Sequence, residues 1–270
     1  VFSPYYRLAW RAGYAHADEH CALNVCLYGG GQNRWTMTER GARHVQRSAT
    51  RFEIGPSQLQ WQDGALVVDI DELATPLMRR VRGRVVVRTS TLVDYVAALD
   101  ADGRHRWGPI APCARVEVDL DSPGLSWRGS AYLDSNEGDE PITEPFTTWD
   151  WMRVPLSDGS CAVMYDVSLR RGGERHIAQR FHPDGQVTEM ALPPRHSLPA
   201  TKWRIGRRMR SEGPAALQRT LEDTPFYARS LVHTVLAGQP ASAVHETLLA
   251  DRFASPWVQA LLPFRMPRRA

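Results

Sequence analysis

The sequence predicts a mainly β protein, a sandwich or barrel with few short helices. Three observations carry this. Short stretches alternate apolar and polar residues at period two, as Val116, Val118 and Leu120 do against Glu117 and Asp119. Turn signals punctuate the chain: Asp63-Gly64, Asp102-Gly103, Asp158-Gly159, Gly172-Gly173 and Pro183-Asp184-Gly185. No strand–helix–strand rhythm is present, and Gly29-Gly30-Gly31 lacks both dinucleotide spacing and a following helix, so it reads as a loop.

Taken in order, a short helix is expected over residues 4–11, capped by Ser3 with Pro4 in its first turn. Trp35, Met37 and Glu39 then alternate with Thr36 and Thr38. Leu66, Val68 and Ile70 share one face, opposite Val67, Asp69 and Asp71. The stretch from Arg84 to Arg88 holds a valine run. Further strands are expected over residues 162–167, 176–181, 203–210, 226–235 and 243–249. A last helix over residues 255–262 has Pro256 in its first turn and Pro263 as its stop. The acidic, proline-bearing stretch 137–145 is the best candidate junction, dividing the chain into domains 1–140 and 141–270.

The 270 residues have 43% hydrophobic and 23% charged content, an ordinary globular composition with ample core. Net charge is +3, which leans towards anionic partners such as a lipid surface. Lys202 is the only lysine, so a phosphate-binding GxxxxGK[ST] loop is excluded, as is Schiff-base chemistry elsewhere. No apolar stretch reaches the roughly 20 residues of a membrane span. Cys21, Cys26, Cys113 and Cys161 form no CxxC pair, which argues against a disulfide framework or structural zinc and for a reduced, cytoplasmic setting. The chain opens on Val1 rather than Met, so an upstream segment is expected to be missing. Of the nine tryptophans, Trp35, Trp61, Trp127 and Trp203 are expected in a core or tunnel lining.

Several constellations bear on chemistry. His16 to His20 matches HxxEH, an inverted zinc-protease motif, but no long helix is available and no third ligand is evident. Residues 134–140 imitate a calcium loop, yet Gly138 takes a ligand position and Asp139 falls where the glycine belongs. No GxSxG elbow occurs. His233 and His245 sit on strand-like stretches and read as structural. More informative are two pairs at spacing two: His105 with Trp107, and Tyr132 with Asp134. On extended chain each pair shares a face. A carboxyl among aromatics stays protonated and can donate a proton, while aromatic faces stabilise a nearby cation.

With their surroundings these residues resemble the CrtC family of bacterial carotenoid 1,2-hydratases, also called hydroxyneurosporene synthases. The resembling segments are FSPYY (2–6), HCALNVCLYG (20–29), RWTMTERG (34–41), HRWGPIAP (105–112), YLDSNEGDEP (132–141), TLEDTPFYARS (220–230) and RFASPWVQALLPFRMPRR (252–269). The resemblance implies two successive lipocalin-like, calycin-like β domains. It implies water addition across the terminal C1=C2 bond of acyclic carotenoids such as neurosporene or lycopene, with no cofactor and no metal. It also implies Asp134 as general acid and Trp107 and Tyr132 as cation-stabilising rings. His105 would position water or accept its proton, and Tyr132 has a hydrogen bond to Asp134 or to water as an alternative. The expected partners are the carotenoid, water and a peripheral membrane surface, with no nucleic acid. The expected location is the cytoplasmic side of the inner, photosynthetic membrane. Trp257, Val258, Leu261, Leu262 and Phe264, flanked by Arg265, Arg268 and Arg269, either contact the membrane or dock on the barrel. The alternative of another class is a lipocalin-like carotenoid carrier without turnover.

Overall fold

A computed structural model describes residues 2–29, 31 and 33–269; of the expected glycine loop, Gly30 lies outside them. The protein is mainly β, as expected, with short helices near its two ends. It forms two compact units. One comprises Val1–Thr89, Ala114–Ala131 and Gln259–Ala270; the other comprises Ser90–Cys113 and Tyr132–Val258.

In the first unit an antiparallel sheet runs in the order Leu125–Gly138, His105–Ser122, Arg79–Arg88, Ala65–Ala74, Ser57–Gln62, Arg51–Ile54, Val45–Arg47. Its register pairs Val116 with Val87 and Val118 with Val85. Val116, Val118 and Leu120 are buried with Ile70 and Val81, while Glu117 and Asp119 are exposed, the alternation that the sequence shows. Gly83 has φ +143°, and a Cβ there would lie 2.3 Å from the Asp119 carbonyl oxygen, so only glycine lets these strands pair. The helix Pro4–Arg11 forms as read: the Ser3 hydroxyl accepts from the Tyr6 amide.

The second unit is built on a seven-stranded antiparallel sheet. Its order is Val187–Glu189, Glu174–Phe181, Cys161–Leu169, Phe146–Pro155, Gln239–Leu249, Tyr227–Leu236, Ala216–Asp223. Both faces of the strand Cys161–Leu169 are covered. Cys161, Val163, Tyr165 and Val167 enter one apolar cluster, Ala162 and Met164 another. The first of these clusters contains Trp107.

The structure differs from the expectations at several points. The two units are not the sequential halves 1–140 and 141–270. Residues 105–122 and 125–138 are two long neighbouring strands, and each runs from one unit into the other. Residues 137–145 finish a strand and turn within the second unit, so their acidity and proline mark a turn. Thr36 and Glu39 are buried although polar. Glu39 is paired with Arg268 and His20, which satisfies its charge. Val67 is buried despite its assigned polar face. The last helix runs Pro256–Arg265 through Pro263, which near the end of a helix removes a single hydrogen bond. The strand expected at 203–210 shrinks to Arg207–Arg210, because Arg204 turns the chain at φ +57°. Trp127 and Trp203 are exposed rather than core. Trp203 stacks on Trp257 instead, with ring centroids 6.1 Å apart.

Candidate active site

The site grows from the second unit's share of the two long strands. His105 and Trp107 open one strand, and both side chains are buried; Tyr132 and Asp134 lie on its neighbour in the sheet. Spacing two on extended chain places each pair on one face. The Trp107 indole Nε1–H donates to Asp134 Oδ2 at 2.8 Å, and the Tyr132 hydroxyl donates to the same oxygen at 3.0 Å. The Tyr132 hydroxyl thus makes the bond to Asp134 that the sequence reading holds as one alternative. Two donors occupy the lone pairs of Oδ2, which leaves Oδ1 as the oxygen able to carry an acidic proton.

Both donors are neutral. Burial pushes the Asp134 carboxyl above its ordinary range, and the bonds from Trp107 and Tyr132 only partly oppose it. Burial, reinforced by the neighbouring Asp134, pushes the Tyr132 hydroxyl far up as well, so it stays protonated. The result is a partly buried carboxyl whose pKa burial raises and two neutral donors only partly lower.

Around this acid is a wall of rings. Trp107 meets Tyr165 edge-to-face at 5.8 Å and Phe181 at 6.1 Å. Tyr132 packs on Trp151 at 5.5 Å, and the Arg153 guanidinium lies over the Tyr132 ring, 5.5 Å from its centroid. Trp149 and Trp151 escaped the sequence reading although they carry the same signal, aromatics two apart on a strand. Trp151 Nε1 is buried and makes no hydrogen bond among the described residues.

His105 is not joined to Asp134 by any hydrogen bond among the described residues. Its ring packs on Phe146 at 4.9 Å. Its Nδ1 edge lies against Gly138, where an added Cβ would come within 2.7 Å of Nδ1. Nε2 is buried without a partner. Burial lowers the imidazole pKa, while Asp100, Glu140 and Asp139 pull it back up and Arg106 opposes them. Ligating atoms of Asp100, His105 and Glu140 lie within 4.8 Å of one another, the one group among the described residues with metal-like spacing. Its carboxylates already have protein partners: Arg104 binds Glu140 at 2.7 Å, and Asp100 accepts the His105 amide at 3.4 Å. The cluster therefore reads as two carboxylates facing a neutral imidazole. Asp100 and Glu140 carry no sequence signal, since their proximity to His105 depends on the turn before the strand.

The other motifs resolve as structure. His16 precedes a single 3₁₀ turn, Ala17–His20, so HxxEH has no helical face, and His20 Nδ1 meets Glu39 at 2.9 Å. The calcium-like stretch from Asp134 to Gly138 is strand. His233 is exposed, and His245 is buried with Nε2–H donating to the Arg208 carbonyl at 2.9 Å.

The chain is similar to known proteins. The family model described as carotenoid hydratase CrtC matches residues 1–270. An acyclic carotenoid 1,2-hydratase of Rubrivivax gelatinosus is 55% identical over 276 residues, spanning 100% of this chain and 68% of that protein. A protein of the same name from Thiocapsa roseopersicina is 51% identical, spanning 99% and 67%. One from Cereibacter sphaeroides is 36% identical, spanning 100% and 95%. Among solved structures, an AttH protein of Nitrosomonas europaea aligns with TM-score 0.59 at 14% identity, over 82% of this chain and 76% of that one, a likeness of fold alone.

Proposed function

The chain belongs to the CrtC carotenoid hydratase family, and on that premise we propose that it adds water across the terminal C1=C2 bond of an acyclic carotenoid. One observation carries the mechanism: a partly buried carboxyl, Asp134, held through one oxygen by two neutral donors. Alkenes are weak bases, so the acid must be protonated, close and dry. Asp134 Oδ1–H protonates C2, the π electrons forming the new C–H bond. The tertiary cation at C1 lies against ring faces, those of Trp107 and Tyr132 with Trp151 beside them. Water attacks C1, and His105 Nε2 takes the proton that the oxonium releases. Asp134 regains a proton before the next turnover, so the net change is one water added.

Asp100 and Glu140 serve His105 by favouring its protonated form at the moment it accepts a proton. Hydration changes no oxidation balance, so the reading needs no redox cofactor. The second unit, with its aromatic wall, is the carotenoid-binding part of the proposal. The substrate dissolves in membranes, so the protein works on the cytoplasmic side at a bilayer surface as a peripheral partner. A carrier has no use for a dry acid, which disfavours the non-catalytic reading. The test is product analysis: incubate the protein with lycopene or neurosporene and chromatograph the carotenoids. A tertiary alcohol at C1 supports the reading. Unchanged carotenoid co-purifying with the protein under all conditions would replace it with the carrier.

A further inference from the structure

We propose that the first unit carries a docking surface for an anionic lipid bilayer, formed where residues 4–14, 75–82 and 259–269 meet. Two hydrogen bonds tie the segments together at adjacent carbonyls. The Tyr5 hydroxyl donates to the Met266 carbonyl at 3.1 Å, and Thr75 Oγ1 donates to the Arg265 carbonyl at 2.9 Å. Each segment exposes large apolar side chains. Leu8 is 64% exposed, Leu77 69% and Phe264 76%, with Met78 and Leu261 also exposed. Val258 and Leu262 of the same closing helix are buried, so the helix divides into a docked face and an exposed one. Docking therefore accounts for Val258 and Leu262, and the exposed Leu261 and Phe264 are, in this proposal, assigned to the lipid.

Charge separates the surface from the rest of the chain. The three segments hold eight of the 33 basic residues, all arginine, and none of the 30 acidic ones. The remaining 25 bases and 30 acids leave the rest of the chain net acidic. Arg80 and Arg268 are paired with Asp71 and Glu39, outside the segments. Arg11 and Arg79 are exposed on the rim, and Arg265 lies over the Trp35 ring at 4.4 Å. Apolar tips ringed by arginine fit the boundary between acyl chains and anionic headgroups. The choice of a bilayer over a protein rests on the proposed substrate, a polyene of the membrane core. The exposure and charge do not depend on it.

The test is cosedimentation of the full chain with vesicles of phosphatidylcholine alone or with a third phosphatidylglycerol. Binding should be at least about tenfold stronger to the anionic vesicles and be lost in molar salt. Leu77→Ser with Met78→Ser and Phe264→Ser should weaken it by about tenfold or more. Arg11→Glu with Arg79→Glu should abolish the lipid preference. All these side chains are exposed, and both variants should keep wild-type turnover on detergent-dispersed carotenoid while losing turnover on vesicle-borne carotenoid. Equal binding to both vesicle types, or undiminished binding by both variants, overturns the proposal. So does a concentration-dependent dimer, abolished by the serine variant, in a protein that ignores vesicles; the occupant is then a second copy. If detergent-dispersed carotenoid is never hydrated, the activity reading fails while the vesicle result still judges the surface.

Discussion

Asp134→Asn isolates the acidic proton. Asparagine is nearly isosteric, and its side-chain carbonyl can accept from Trp107 Nε1–H and the Tyr132 hydroxyl as Oδ2 does at 2.8 and 3.0 Å. Both buried donors keep a partner, so the fold should be retained. Because burial already disfavours the carboxylate, stability above neutral pH should not fall. What disappears is the proton on Oδ1. Loss of a general acid lowers rate by about 10²–10⁴-fold, a barrier increase of about 3–5 kcal/mol. Asp134→Ala serves as contrast: it strands an indole N–H and a phenol O–H, each at about 1–3 kcal/mol, so it should lose stability and activity together. The assay is the initial rate of alcohol formation by chromatography, with urea denaturation of each variant. An Asp134→Asn enzyme that is folded and turns over at the wild-type rate refutes the assignment.

Three further outcomes are expected. A general acid must be protonated, so turnover should fall as pH rises through the Asp134 pKa. Trp107→Phe and Tyr132→Phe each remove a bond that favours the ionised form, and should move that limb to higher pH; an unmoved limb in both would mean that another group titrates. Gly138→Ala introduces a Cβ 2.7 Å from His105 Nδ1 at a position without positive φ, so it should displace the imidazole and cut turnover by about tenfold or more, and wild-type turnover would detach His105 from the chemistry. Asp150 is buried with its pKa pushed up to about 6, so its stabilising contribution is full below pH 4 and is lost as pH rises through 6. Asp150→Asn should match the wild type near pH 4 and exceed it at pH 8 by about 3 kcal/mol in urea titrations, and equal stability at both pH values would contradict the buried charge.

The legible parts of this protein are those governed by neighbours in sequence. Period two revealed the strands and placed His105 beside Trp107 and Tyr132 beside Asp134, because strand geometry fixes i and i+2 without knowledge of the rest. Ser3 and Pro4 announced their helix for the same local reason. What pairing and burial decide was hidden. Glu39 is a fully buried charge whose partner Arg268 is over two hundred residues away. Asp100 and Glu140 reach His105 through a turn and a strand end. Division at residue 140 failed for a related reason: a composition break marks a turn as readily as a boundary, and the two long strands pass between units without any signal in their sequence.

Three aspartates of the second unit, two buried and one partly buried, show why the identity of the donors decides what a carboxyl can do. Asp166 accepts two bonds from the Arg210 guanidinium, both 2.8 Å, with His176 at 2.7 Å; although burial opposes it, its pKa is lowered and it remains a carboxylate. Asp150 meets the Thr247 hydroxyl, with Arg208 no nearer than 3.8 Å, and burial prevails over these weaker partners. Asp134 has hydrogen bonds of ordinary length, like those of Asp166, but from an indole and a phenol that bring geometry without charge. The Arg153 guanidinium lies over the Tyr132 ring, 5.5 Å from its centroid. A cation in place of either donor would hold the same side chain as firmly and fix it ionised. Hydration of an unactivated alkene needs the opposite, an oriented carboxyl whose surroundings favour its protonated form. Two neutral donors on one oxygen meet both requirements, and they leave the other oxygen to deliver the proton.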